Sequence, residues 1–264
     1  MALLAACSAE SAPGPAAVPA EASRPGGAAP AEAAATAAAA RVVPAAARQV
    51  VVATVDDWDD VTAELARFAR APGGAWTPVG RPWPAVIGAR GSAWGRGLHG
   101  HGAPAGRGGP LKREGDGRSP AGAFAIGAAF GYASAPPPGA REPYSQVDDG
   151  WVCVDDPRSA RYNRVFDAGG VAVDWSSFES MRRSDELYRW VVIVDHNADA
   201  AAGAGSCIFL HIWSGPTAGT SGCTAMARPD MEGLLAWLDP AAHPVFVLLP
   251  AAERAALRSA WGLP

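Results

Sequence analysis

Three observations predict a mainly β fold with a few helices. Apolar residues fall in short runs, as in Val50–Val55, Trp190–Asp195, Cys207–Trp213 and Pro244–Leu249, with the length and alternation of strands. Turn formers punctuate those runs: the 264 residues include 31 glycines and 24 prolines, which helix interiors disfavour. Few stretches carry apolar residues at helical spacing.

Taken in order, the chain begins with a biased segment, residues 1–48. Leu4-Ala5-Ala6-Cys7 resembles the lipobox of bacterial lipoproteins, in which the cysteine is lipidated. Only six residues precede it, fewer than the apolar run of about 7 to 15 in a signal peptide. We read a truncated lipoprotein signal. Residues 8–49 hold no aromatic side chain, the first being Trp58. Such a segment cannot bury enough apolar area to offset its ordering entropy, so a disordered tether is expected.

Residues 49–80 read as a small strand-helix-strand lead-in. Val50–Val55 is a strand, and Asp56 or Asp57 can cap a helix with Val61, Leu65 and Phe68 at i, i+4 and i+7. Pro72-Gly73-Gly74 would end it. Trp76–Val79 and Trp83–Gly88 are then short strands.

Residues 81–250 form the main domain. His99 and His101 are a His-x-His pair able to ligate zinc, but no third ligand has suitable spacing, so they read as loop histidines. The glycines of Lys112–Phe124 specify turns before a strand from Ala123 to Ile126. Residues 131–170, with Pro136-Pro137-Pro138, read as an irregular insertion of the length that forms lids or substrate walls. Asp155 and Asp156 are too few to argue calcium. Asn163, Arg164 and Asp174 are polar candidates for a groove. Ser176-x-x-Glu179 is a capping box opening a short helix through Met181 to Leu187. After the strand Trp190–Asp195 comes His196, at its end. Pro229 starts a helix with Met231, Leu234, Leu235 and Leu238 on one stripe, Pro240 stops it, and Pro244–Leu249 is the closing strand. Residues 251–264 are a tail helix.

Charge narrows the function. The formal charge of −4 and pI near 5.7 offer no basic face for nucleic acid. No run approaches the 20 or so apolar residues of a membrane span.

The chemistry gathers in CIFLHIWSGPTAGTSGCTAM, Cys207 to Met226. Alternation puts Cys207, Phe209, His211 and Trp213 on one strand face and Ile208, Leu210 and Ile212 on the other. A Gly/Pro/Ser/Thr loop then delivers Cys223 after Ser221-Gly222. A thiol near an imidazole is the minimum kit for covalent acyl transfer. Gly222 can turn amides toward a developing oxyanion. Taken singly, the cysteine also fits a small buried hydrophobe and the histidine a satisfied core residue.

The stretch resembles the L,D-transpeptidase (YkuD-type) family, whose signature is a strand histidine followed by a Ser/Thr-His-Gly-Cys loop. The matching residues are His211, then Thr220, Ser221, Gly222 and Cys223. A second block, Lys112-Arg113-Glu114-Gly115-Asp116-Gly117-Arg118-Ser119-Pro120-Ala121-Gly122-Ala123-Phe124, is similar to the family's EGDG-x-TP-x-G-x-F segment. Ser221 stands where many members have His and Ala225 where many have Arg, marking a divergent branch.

The resemblance implies an L,D-transpeptidase-type β-sandwich and attack by Cys223 on the carbonyl before a terminal D-amino acid of a peptidoglycan stem peptide. His211 would handle the proton, Gly222 and Cys223 amides the oxyanion, and Ser221 the orientation of His211. Substrate-binding candidates are Thr220, Trp213, Arg118 and His196. No metal or organic cofactor is implied, and the membrane is a partner only through a lipid on Cys7. The expected location is the cell envelope. With Cys7 lipidated and Cys223 catalytic, Cys153 and Cys207 remain as a disulfide pair, or as two reduced core thiols. Two alternatives stay open: an L,D-carboxypeptidase or endopeptidase, and an inactive wall-binding lipoprotein.

Overall fold

Val50, Val51, Val52 and Ala53 are completely buried, so strand β1 (Gln49–Val55) is covered on both faces. That is why its sequence is a continuous apolar run rather than an alternating one. The computed structural model describes residues 41–264; Cys7 and nearly all of the tether lie outside them. Along the chain follow β2 (Thr62–Ala69), β3 (Thr77–Val86), β4 (Ser92–Trp94), β5 (Arg96–Gly97), β6 (Gly100–His101), β7 (Ser119–Gly131) and β8 (Tyr144–Gln146). Next come β9 (Trp151–Val154), β10 (Val165–Asp167), β11 (Phe178–Ser180), β12 (Val191–Val194), β13 (Phe209–Ile212) and β14 (Thr224–Met226). Helix α1 (Arg228–Trp237), β15 (Val245–Pro250) and helix α2 (Ala251–Trp261) complete the order.

The fold is mainly β, as expected. The principal sheet runs β12-β13-β14-β3-β2-β1-β15-β7-β4, and β12 also pairs with β7. The sheet therefore closes on itself through eight strands, which removes two exposed edges. Strand β1 lies parallel to β15, Val50 opposite Val245, and antiparallel to β2. The stripe on α1 is core: Met231, Leu234 and Leu235 are wholly buried.

Two expected helices do not form. Residues 62–69 form β2, with Ala63 and Leu65 buried between exposed Thr62 and Glu64. Val61, Leu65 and Phe68 satisfy a helical spacing, but Thr62–Leu65 also alternates, and the open edge of β1 recruits the segment. The 49–80 lead-in is thus the first layer of the main sheet. The capping box at Ser176 does not form. The Ser176 hydroxyl and amide both bond Asp156 Oδ2, at 2.6 and 2.8 Å, and the Glu179 side chain is bonded to Tyr188. With both box partners engaged elsewhere, Phe178–Ser180 pairs with β9.

The 131–170 insertion carries order as well. Strands β10, β9 and β11 make a separate three-stranded sheet. It packs on the face of β13 that carries Cys207 and Phe209, where Val147, Cys153, Met181, Tyr188 and Val191 form a second apolar cluster with Cys223. Ile208, Leu210 and Ile212 belong to the main cluster, so the alternation read in the sequence holds. A Cys153–Cys207 disulfide, with Cα atoms 6.0 Å apart, joins the small sheet to the chain just before β13.

Candidate active site

Strand β13 pairs in parallel with β14, placing His211 opposite Ala225. Cys223 ends the loop that leads into β14, so the thiol arrives just before the strand that neighbours the one carrying the imidazole. Both line one cleft of about 490 Å³, together with Lys112, Glu179, Arg183, Tyr188, Trp213 and the loop Thr220–Gly222.

The loop is held from behind. The Ser119 hydroxyl accepts from the Gly88 amide at 2.9 Å and reaches the carbonyls of Gly222 (2.7 Å) and Cys223 (2.9 Å). Thr220 Oγ1 donates to the Cys223 carbonyl at 2.6 Å and accepts from the Gly222 amide at 3.1 Å. A Cβ on Gly222 would stand 3.1 Å from Arg118 O and 3.3 Å from Ile208 Cδ1, so the loop lies tight against the second block. Ser119 is fully buried, and removing its hydroxyl strands a buried amide. Ser119→Ala is expected to lower stability by about 1–3 kcal/mol, measured by urea unfolding, and to slow acylation of Cys223.

The thiol and the imidazole rest uncharged. Cys223 Sγ receives the Phe209 amide at 3.3 Å and points its own hydrogen at Cys207 O, 3.4 Å away. Burial pushes the thiol far above its ordinary value, with the nearby Glu179 carboxylate adding to the shift. His211 Nδ1 lies 2.7 Å from the Ile212 carbonyl. A carbonyl only accepts, so Nδ1 carries the hydrogen and Nε2 keeps its lone pair. Burial lowers the imidazole to about 4, opposed in part by that bond.

Of the two amides expected at the oxyanion, that of Gly222 is engaged by Thr220. The Cys223 amide has no partner among the described residues.

The other candidates divide. Trp213 and Thr220 line the cleft, and Ser221 is exposed at its rim. Ser221 makes no side-chain bond to His211; the Ile212 carbonyl does that orienting instead. Arg118 lines no part of the cleft. Its guanidinium bonds Asp59 Oδ1 at 2.6 Å and the carbonyls of Trp58 and Ser92. His196 is also outside: 2% exposed, it accepts the Arg96 amide at Nδ1 and donates from Nε2 to Ala204 O. Both residues brace loops. Asn163 does so too, since its Oδ1 accepts the Cys207 amide and its Nδ2 donates to the carbonyls of His196 and Asn197. Asp174 bonds Ser159 and Ala160, and Arg164 bonds Ala198 O. His99 is wedged between Trp94 and Trp261. No group of three potential metal ligands occurs among the described residues.

Sequence reasoning missed Tyr188 and Glu179. The Tyr188 ring meets His211 edge-on at 5.0 Å and Phe209 at 5.8 Å. Its hydroxyl donates to Glu179 Oε1 at 2.5 Å. No spacing in the chain signals this cluster, because strands β11 and β13 and the 181–190 segment meet only in three dimensions.

A family model of the L,D-transpeptidase catalytic domain matches residues 77–247. No curated protein and no solved structure matches the chain.

Proposed function

Because the chain belongs to the L,D-transpeptidase catalytic-domain family, we propose that it transfers acyl groups between peptidoglycan stem peptides through a thioester on Cys223. The observation that carries this reading is the placement of His211 on β13 and of Cys223 just before the neighbouring β14, both lining one cleft, with Nδ1 of the histidine tied to a carbonyl. Nε2 is then the basic atom. As the donor carbonyl approaches, Nε2 takes the thiol proton and sulfur bonds carbon. The same imidazole returns the proton to the departing D-amino acid.

A neutral resting pair suits this order of events. A thiol kept protonated in a buried site is not exposed as a free thiolate between turnovers, and charge appears only once substrate has displaced water. The unpartnered Cys223 amide is offered to the oxyanion, a contribution of about 3 kcal/mol per donor. The chemistry proposed requires no metal or organic cofactor.

We place the enzyme in the cell envelope. The Cys153–Cys207 disulfide supports an oxidising compartment, and lipidation at Cys7 would hold the domain at a membrane surface.

Intact-protein mass spectrometry after incubation with a carbapenem, a β-lactam that acylates many members of this family, is the direct test. Wild type is expected to gain the mass of one drug molecule and Cys223→Ala none. An adduct on both proteins would remove Cys223 from the mechanism.

A further inference from the structure

The wall of the cleft facing the catalytic strand is acidic and comes from the small sheet. Glu179 lies on β11 opposite Cys153 of β9, and Asp155 follows β9 directly. Both line the cleft that holds Cys223. Asp155 Oδ1 is buried without any hydrogen-bond partner, and the one visible contact of the Glu179 carboxylate is the Tyr188 hydroxyl. The cations on the same cleft are already engaged: Arg183 bonds Asp185 with Nε and Nη2 and stacks over the Tyr188 ring, while Lys112 Nζ bonds Asp116 and the Arg113 carbonyl. Two carboxylates therefore face the cleft with acceptor capacity and no cation of their own.

We propose that Glu179 is the catalytic base that receives and deprotonates a cationic amine as the second substrate, with Asp155 helping to hold it. This assignment rests on the thioester reading above and names the acceptor that reading leaves open. The acceptor ammonium binds between the two carboxylates and yields one proton to Glu179. The freed amine attacks the thioester carbon, forming the C–N bond, and the Cys223 amide bears the oxyanion. His211 Nε2 then removes the second proton from nitrogen. As the C–S bond breaks, the proton on His211 passes to the leaving sulfur, and Glu179 releases its own to solvent. Atoms and charge balance, and no further reactant is required.

Burial is the main reason that the Glu179 carboxyl is raised above the usual range, and Asp155 adds repulsion, while Tyr188 and Arg183 oppose the shift. Such a carboxylate binds a proton more readily than an exposed one.

The test compares wild type with Glu179→Gln and Asp155→Asn, using a stem tetrapeptide donor and three acceptors. These are a peptide bearing a side-chain ammonium, water, and hydroxylamine, which is uncharged at neutral pH. Glu179→Gln is expected to lower the ratio of transfer to the ammonium over transfer to hydroxylamine by about 100-fold, while hydrolysis and carbapenem acylation read any effect of the change on Cys223 itself. Asp155→Asn is expected to raise KM for the ammonium acceptor more than it lowers kcat. An equal fall toward all three acceptors, or no change toward the ammonium, overturns the assignment. Failure of wild type to form a thioester at all would instead overturn the underlying function.

Discussion

Replacing His211 by Ala lowers the rate of Cys223 acylation by about 10²–10⁴-fold, the range for loss of a positioned general base. At rest the thiol is hydrogen-bonded only to backbone groups, the Phe209 amide and the Cys207 carbonyl. Burial holds it far above its ordinary value, and its hydrogen points at a backbone carbonyl, which is no base. The same geometry sets the pH profile. Burial lowers His211 to about 4, against roughly 6.5 for a free imidazole. Nε2 is therefore available as a base above about 4 and lost below it. Stopped-flow acylation by a carbapenem is expected to stay level from neutral pH down past 6 and then fall on a limb near 4. A limb at the free-imidazole value would mean that the ring is solvated before the drug binds.

Removing the disulfide is expected to cost about 4 kcal/mol of stability on the chain-entropy account, because the Cys153–Cys207 link closes a sequence separation of 54 residues. The double variant Cys153→Ala/Cys207→Ala is the suitable one, since a single change leaves a thiol beside Cys223. Urea unfolding reads the loss. A second consequence concerns the cleft. Cys207 holds a left-handed backbone conformation, φ 56°, and its carbonyl receives the Cys223 hydrogen. Its partner Cys153 pairs directly with Glu179. Freed of the link, the small sheet loses its covalent tie to the segment leading into β13, and acylation is expected to slow even where the protein remains folded. Unchanged acylation in the folded variant would show that packing alone holds the wall.

The strands of the candidate site were legible because their signals are local. In β13 the alternation assigns His211 and Phe209 to one face and Leu210 to the other without reference to any partner. The loop composition before Cys223 forbids helix or strand there. The α1 stripe and the tail helix are periodic over enough residues to stand on their own. The family blocks added that Lys112–Phe124 belongs with the cysteine loop, and Ser119 supplies the physical reason: its hydroxyl bonds that loop's carbonyls.

What the sequence by itself determined, then, is the β class, the pairing of His211 with Cys223, and the family to which that pairing belongs. Tertiary structure alone decided the rest. Residues 62–69 satisfy helical and strand spacing alike, and the unpaired edge of β1 chose the strand. Ser176 and Glu179 make a valid cap in isolation, yet Asp156 and Tyr188 offer their side chains stronger partners at long range. Arg118 and His196 are polar residues near the motifs, but whether a side chain faces a cleft or braces a loop depends on what packs behind it. The acidic wall depends on the same thing: Asp155, Glu179 and Tyr188 are spread over 34 positions of the chain, and only the tertiary fold brings them to the cleft that holds Cys223. Local periodicity records which way a residue faces along its own strand. It carries no record of which surface will be folded against that face.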